Sequence, residues 1–326
     1  RVIGSIRFEN LNGARNRLSE DLPCATCEAR ECQTACLKRK INRPIDIPLV
    51  LREARSFQEI RTDEPSCSLD FCGVWCENPF FLSSSVVGSD YEMIAKAFEM
   101  GWAGVVYKSI SAFVPKDTSP RFGVLRAENG EIIGLKNIEQ TSNRSLSENL
   151  SILARLKRDF PRKVVVASIM GRNEEEWTQL AQAVTATGID MIECNFSCPH
   201  MAADGVGSDV GQNPDLVKAY VRAALKGTRL PILAKMTPNT GNMEISALAA
   251  LEAGATGLAA INTVKSLMGI HPDTFSSDPD VGGKSSVGGY SGKAVKPIAL
   301  RFIQALKSHE KAKNAPISGM GGITTW

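Results

Sequence analysis

Residues 163–197, KVVVASIMGRNEEEWTQLAQAVTATGIDMIECNFS, contain an apolar β-branched run, a polar turn, an amphipathic helix pattern stopping at Gly188, and a second apolar run. Neither flanking run alternates polar with apolar positions. That is the pattern of strands buried on both faces of a parallel sheet, and the helix between them supplies the crossover that parallel strands require.

The same unit repeats from about residue 78. Strand patterns are PFFLSSS (79–85), GVVYKSI (104–110), KVVVASIM (163–170), DMIECNFS (190–197), PILAKMT (231–237), TGLAAINT (256–263) and APISGMGG (315–322). Helix patterns between them include YEMIAKAFEMG (91–101), ENLSILARLKRDF (148–160), EEEWTQLAQAVTATG (174–188), PDLVKAYVRAALKG (214–227) and ISALAALEAG (245–254), several ending at a glycine suited to a left-handed cap. Seven such strands predict an α/β fold of the (β/α)8 TIM-barrel class, with the eighth strand missing from this chain. The two strand edges left open have three readings: a fragment, an atypical closure, or a partner chain.

Two connections of about 50 residues, after GVVYKSI and after TGLAAINT, stand out. Barrel sites lie at the C-terminal ends of the strands, so long loops there read as lids or substrate walls. The second, KSLMGIHPDTFSSDPDVGGKSSVGGYSG (265–292), is rich in Gly and Ser and reads as mobile. The N-terminus does not share the repeat: CATCEARECQTACLKRK (24–40) and PLVLREARSFQEI (48–60) read as helices joined by INRPIDI (41–47). The expected organisation is a helical, Cys-rich segment over 1–65 and a barrel domain over 66–326, incomplete at its C-terminal end.

The 326 residues are 43% hydrophobic and 22% charged, the composition of a globular chain with a substantial core. A net charge of +3 with one basic cluster, KRKINR (38–43), argues against nucleic acid as a partner. No apolar run approaches the roughly 20 residues that span a bilayer, and no signal-peptide core is present, so no membrane contact and a cytoplasmic location with reduced cysteines are expected. The only histidines are His200, His271 and His309, which leaves chemistry to Cys, Lys and Asn. No G-x-G-x-x-G follows a strand, so the chain is not expected to bind NAD(P)H itself.

What ends the strands forms a pattern: Lys108, then Asn195, Ser197 and Cys198, then Lys235 and Thr237, then Asn262 and Thr263, then GMGG (319–322). Singly, each reads as a solvated lysine or a turn asparagine. Gathered on one rim of an apolar scaffold they suit a flat polar cofactor: lysines stabilise negative charge on a reduced isoalloxazine, amides pair with a pyrimidine edge, and the GG turn offers N–H groups to a phosphate. The set reads as an FMN site.

KNIEQ (136–140), ECNFSCPH (193–200), LAKMTPN (233–239), AAINTV (259–264) and GGYSGKAVKPIALR (288–301) resemble the FMN-binding barrel of dihydropyrimidine dehydrogenase, in its bacterial catalytic-subunit form, a relative of class 1 dihydroorotate dehydrogenases. The similarity runs from about residue 69 to 326. It implies that Ser84, Lys108, Asn137, Lys235, Asn262, Thr263, Gly292, Gly321 and Gly322 hold FMN, and that Asn137, Glu139, Asn195, Ser197, Asn262 and Thr263 hold the pyrimidine. It implies reduction of the 5,6 double bond of uracil or thymine, with hydride from FMN N5 and a proton from Cys198. A thiol of ordinary pKa, about 8.5, is mostly protonated at neutral pH and can act as that acid. The plainer reading of Cys198 is a small buried apolar residue. Cys194, on the opposite strand face, reads as packing. His200 resembles the pyrimidine enzymes, whereas dihydroorotate dehydrogenases usually carry Asn there.

The resemblance further implies electrons from NAD(P)H through a separate FAD- and NAD-binding subunit, and a homodimer or heterotetramer. Cys24, Cys27, Cys32 and Cys36 are spaced like the first half of the helical iron–sulfur domain of dihydropyrimidine dehydrogenase, with Leu37 where the family has Pro. One 4Fe-4S cluster, a structural zinc, and no metal at all stand as three readings of them. Cys67, Cys72 and Cys76, around the strand-like SLDFCGVWC (68–76), match a hairpin closing the barrel bottom and read as packing. The alternatives are a dihydroorotate dehydrogenase and, from another class, a non-catalytic or truncated barrel.

Overall fold

The computed structural model describes residues 18, 28–29, 31–34, 45–56, 67–116, 118–196 and 208–324. The chain divides into two compact units, Arg1–Ser66 and Cys67–Trp326. In the first, the described helices are α1 (Glu31–Thr34) and α2 (Ile47–Ser56), with Leu51 and Ala54 of α2 buried.

The second unit is built on three sheets, of seven, four and two strands. Its strands are β1 (Leu69–Phe71), β2 (Val74–Cys76), β3 (Phe81–Leu82), β4 (Gly104–Ile110), β5 (Phe122–Arg126), β6 (Ile132–Asn137), β7 (Val164–Ile169), β8 (Met191–Asn195), β9 (Ile232–Lys235), β10 (Gly257–Ala260), β11 (Val264–Ser266), β12 (Gly288–Ser291) and β13 (Ile317–Gly319). The seven strands expected from the repeat form one parallel sheet in the order β13-β10-β9-β8-β7-β4-β3. That is chain order, as a barrel winds. Residues of β3 and of β13, the two edges, line one common cavity, so the sheet curls around it. Among the described residues no eighth strand joins those edges.

Helices cover the outside: α3 (Tyr91–Glu99), α4 (Leu146–Asp159), α5 (Glu174–Thr185), α6 (Ser208–Gln212), α7 (Pro214–Gly227), α8 (Met243–Ala253) and α9 (Lys296–Ser308). Their starts are set locally. Asp90 caps α3, Ser145 and Glu148 close a capping box on α4, and Asn173 and Asn213 cap α5 and α7. Strand alternation then sorts side chains into two cores. Val165, Ala167 and Ile169 of β7 and Ile192 and Cys194 of β8 pack outward with Trp177, Leu180 and Val217 of the helices. Val164, Val166, Met191, Val106 and Leu233 pack inward, closed from below by Cys76 of the β1–β2 hairpin.

The two long connections are tied to each other. They supply β5 and β6, and β11 and β12, which form a four-stranded antiparallel sheet in the order β11-β12-β6-β5. Residues 265–292, expected to be mobile, are thus anchored at both ends in this sheet. β12 is laddered onto β6, and Lys136 of β6, fully buried, donates its ammonium to the carbonyl of Asp278 at 2.8 Å and to that of Ser286. The strands there are too short and Gly-rich to show a period of two.

Candidate active site

The cavity enclosed by the curled sheet has a volume of about 720 Å³. Its lower wall is the apolar inner core, including Val106, Val166 and Leu233, and its upper wall is the antiparallel sheet, including Phe122 and Leu135. Polar groups enter from the ends of the strands.

From β3 and β9 come Ser84 and Lys235. The Lys235 ammonium donates to Ser84 Oγ at 2.7 Å and lies 3.3 Å from Glu193 Oε1 of β8. Ser84 Oγ also donates to Glu193 Oε1 at 3.3 Å. From β4 comes Lys108, whose Nζ is 2.8 Å from Glu139 Oε2, just beyond β6; Arg121 Nη1 stands 3.7 Å from the other oxygen of Glu139. Each lysine of the cavity thus has its own carboxylate.

Amides and hydroxyls form a connected line beside these pairs. Asn195 donates Nδ2–H to Ser109 Oγ at 2.8 Å, and Ser109 shares a 2.8 Å hydrogen bond with Ser168. Asn262 donates to Asn195 Oδ1 at 3.3 Å, and the Thr263 N–H donates to Asn262 Oδ1 at 2.7 Å. Asn137 donates to the Gly289 carbonyl at 3.4 Å and accepts from the Glu139 N–H at 3.3 Å, binding the antiparallel sheet to the rim.

The third feature is a glycine cradle. Gly292 (φ 100°), Gly321 (φ 122°) and Gly322 (φ 73°) all line the cavity in a left-handed backbone region. A Cβ on Gly322 would stand 2.8 Å from the Lys296 backbone nitrogen and 2.9 Å from the Gly292 carbonyl, so the two turns and the first residue of α9 meet at backbone distance. That helix start has no side-chain cap, but the Lys296 N–H is bonded to the Lys293 carbonyl and Pro297 has none, so it is the glycine turns that offer backbone to an anion here.

Of the described residues expected from the strand-end pattern and the resemblance, all but Thr237 line this cavity, among them Ser84, Lys108, Asn137, Glu139, Asn195, Lys235, Asn262, Thr263, Gly292, Gly321 and Gly322. Thr237 is turned aside, its hydroxyl accepting from the Asn239 backbone and side chain at 3.1 Å. Ser197, Cys198 and His200 lie outside the described residues, as do Cys24, Cys27 and Cys36; Cys32 is exposed. Among the described residues no three His, Cys, Asp or Glu side chains gather as a metal site. Cys194 is fully buried, and burial, then the charge of Glu193, push its thiol pKa far up. Cys72 and Cys76 are each pushed up to about 11 by burial and by the charge of Asp70.

Glu193 is the residue that reading by motif passed over. It is fully buried, and its Oε2 has no hydrogen-bond partner among the described residues. Its signal was parity: in an apolar strand it sits two residues before Asn195, on the same face. An orphaned buried carboxylate oxygen, two lysines at a lumen rim and a cradle that any Cβ would fill together suit the FMN expected from the strand ends.

A family model described as dihydroorotate dehydrogenase matches residues 66–326. The chain is 57% identical over 259 residues to "NAD-dependent dihydropyrimidine dehydrogenase subunit PreA" of Escherichia coli (strain K12), covering 79% of this chain and 63% of the relative. It is 37% identical over 274 residues to the chloroplastic "Dihydropyrimidine dehydrogenase (NADP(+))" of Arabidopsis thaliana, covering 80% and 64%. It is 38% identical over 262 residues to "Dihydroorotate dehydrogenase B (NAD(+)), catalytic subunit" of Pyrococcus furiosus, covering 80% and 81%. The chain thus spans less than two thirds of the length of the dihydropyrimidine dehydrogenase relatives.

Proposed function

This chain belongs to the dihydroorotate dehydrogenase family, and from that premise we propose that it reduces the 5,6 double bond of uracil or thymine in an FMN-dependent reaction. Held by the cavity residues, FMN would supply the hydride that one carbon of that bond requires. Cys198 Sγ gives the proton to the neighbouring carbon, a role that suits a thiol protonated at neutral pH. Asn137, Asn195, Asn262, Thr263 and Ser197 orient the pyrimidine by its amide edges, with Glu139 beside them. Ser84, Lys108 and Lys235 hold the flavin ring system, and the Gly292 and Gly321–Gly322 turns take the phosphate. The apolar walls exclude water from the reacting atoms.

The observation that carries this reading is that residues from eight separate stretches of the chain converge in one lumen. The name of the E. coli relative calls it an NAD-dependent subunit. Electrons then reach this chain from NAD(P)H through a separate FAD- and NAD-binding subunit, and one 4Fe-4S cluster on Cys24, Cys27, Cys32 and Cys36 belongs to that relay. Dihydroorotate oxidation is the second reading, favoured by the identity to the Pyrococcus furiosus relative over most of both chains.

The test is to load the purified chain with FMN anaerobically, assay flavin and iron, and measure uracil, thymine and dihydroorotate turnover with an artificial redox partner. Uracil or thymine turnover lost in Cys198→Ala, with flavin retained, is the expected result. Turnover of dihydroorotate alone would replace the first reading with the second, and a chain that holds no FMN would refute both.

A further inference from the structure

The Ser84–Lys235–Glu193 cluster crosses the lumen rather than following the sheet. β8 and β9 are hydrogen-bonded neighbours, with Asn195 opposite Lys235 and Glu193 opposite Leu233, but β3 is a sheet edge that pairs only with β4. Ser84 meets Lys235 and Glu193 across the inside of the curl. The Lys235 side chain is 5% exposed and that of Glu193 not at all. Beneath them lies the apolar layer of Met191, Leu233, Val106 and Val166, so both charges sit on a low-dielectric floor where their influence is little screened.

A free carboxylate oxygen in such a place is costly unless the charge is needed. Ser84 and Lys235 both engage Oε1, leaving Oε2 as an acceptor with no donor among the described residues. Replacing this ion pair with apolar residues would avoid that cost, so stability alone does not account for it. Removing Glu193 alone would leave the floor of the cavity with an unbalanced positive charge.

We infer that Glu193 is a positioning residue that fixes the Lys235 ammonium at the cavity floor and, by balancing its charge, sets the reduction potential of the bound flavin. This rests on the FMN reading above. A flavin becomes more electron-rich on reduction, so its potential reports the net charge of the floor, which Glu193 keeps close to neutral. With the carboxylate present the flavin is the better reductant towards a pyrimidine double bond; without it, reduced flavin is held too firmly.

The experiment is an anaerobic dye-referenced reduction titration of the full chain loaded with FMN, in the wild type, Glu193→Gln, Glu193→Asp and Lys235→Gln. Glu193→Gln is expected to favour reduced flavin by at least about tenfold, an upward shift of roughly 30 mV for a two-electron couple. Glu193→Asp keeps the charge and stays within about threefold of the wild type. Lys235→Gln leaves the carboxylate unopposed and shifts the potential downward by a similar factor, which reads the same pair if Glu193→Gln does not fold. An unchanged potential in Glu193→Gln or Lys235→Gln with FMN bound overturns the inference, as does an equal upward shift in Glu193→Asp. A wild-type chain that binds no FMN overturns the proposed function and this inference with it; a wild-type chain whose potential its variants share overturns only the role of Glu193.

Discussion

Replacing Lys136 with Met tests whether one buried ammonium latches the strap 267–287 to the antiparallel sheet. Lys136 is fully buried in β6 and donates to two strap carbonyls, those of Asp278 and Ser286. Hydrogen bonds from a charged donor contribute about 1.5–3 kcal/mol each, so losing both with the carbonyls still buried would cost about 3–6 kcal/mol. The strap has a cheaper route, because between β11 and β12 it forms no ladder, only the isolated bridges Met268–Asp278 and Val281–Lys284 and backbone bonds linking His271 with Phe275 and Ser276. It can open and let water take the carbonyls. We therefore expect strap opening to become easier by about 2–3 kcal/mol, or roughly 30- to 150-fold. Amide hydrogen exchange reads this at Ser277, Asp278 and Val281, whose N–H groups are bonded to Ser285 Oγ, Met268 O and Lys284 O, while the amides of α4 and α5 stay protected and Tm moves little. Burial depresses the Lys136 pKa below the ordinary 10.5, opposed by the nearby charge of Asp278. The folded state therefore binds this proton less tightly than the open one, and closure should strengthen as pH rises through the interval below 10.5. Lys136→Met should lack that rise. Unchanged strap protection with a large fall in Tm would refute the latch and make Lys136 a support of the sheet itself.

Two further outcomes follow from the cradle and the cysteines. Gly322→Ala puts a Cβ 2.8 Å from the Lys296 backbone at φ 73°, costing at least about 1–2 kcal/mol, so FMN affinity measured by flavin titration should fall tenfold or more. An unaltered dissociation constant would remove this turn from the phosphate site. In native alkylation at pH 8 followed by peptide mass spectrometry, exposed Cys67 should react and buried Cys76 and Cys194 should not. Labelling of Cys194 as fast as Cys67 would contradict its place behind β8.

The seven parallel strands were legible because burial on both faces leaves continuous β-branched runs, as in VVVASI of β7, and because helices such as α8 stop at a left-handed glycine, Gly254. The rim residues were legible for a related reason: a lysine or asparagine ending such a run has few structural uses. The antiparallel sheet was not, since GGYS of β12 carries no alternation and pairs with a segment about 150 residues earlier. Nor does a sequence say which lysine meets which carboxylate; Lys108 finds Glu139, and Lys235 finds Glu193, through the curl of the sheet. Glu193 itself was readable by strand parity but hidden beside two more conspicuous cysteines.

The strand β8 also behaves like a text with a reading frame. Its odd positions, Met191, Glu193 and Asn195, face the lumen, and its even ones, Ile192 and Cys194, face the helices. A deletion or insertion of a single residue inside it would send the Glu193 carboxylate among Trp177 and Val217 and bring a thiol and an isoleucine to the cavity floor, exchanging every address at once. Substitutions within one parity class can be absorbed locally; a change of length cannot. Natural or engineered variation in this protein should therefore respect the spelling length of β8 more strictly than its letters, with indels confined to turns such as that around Gly188, where the frame can be reset before the strand begins.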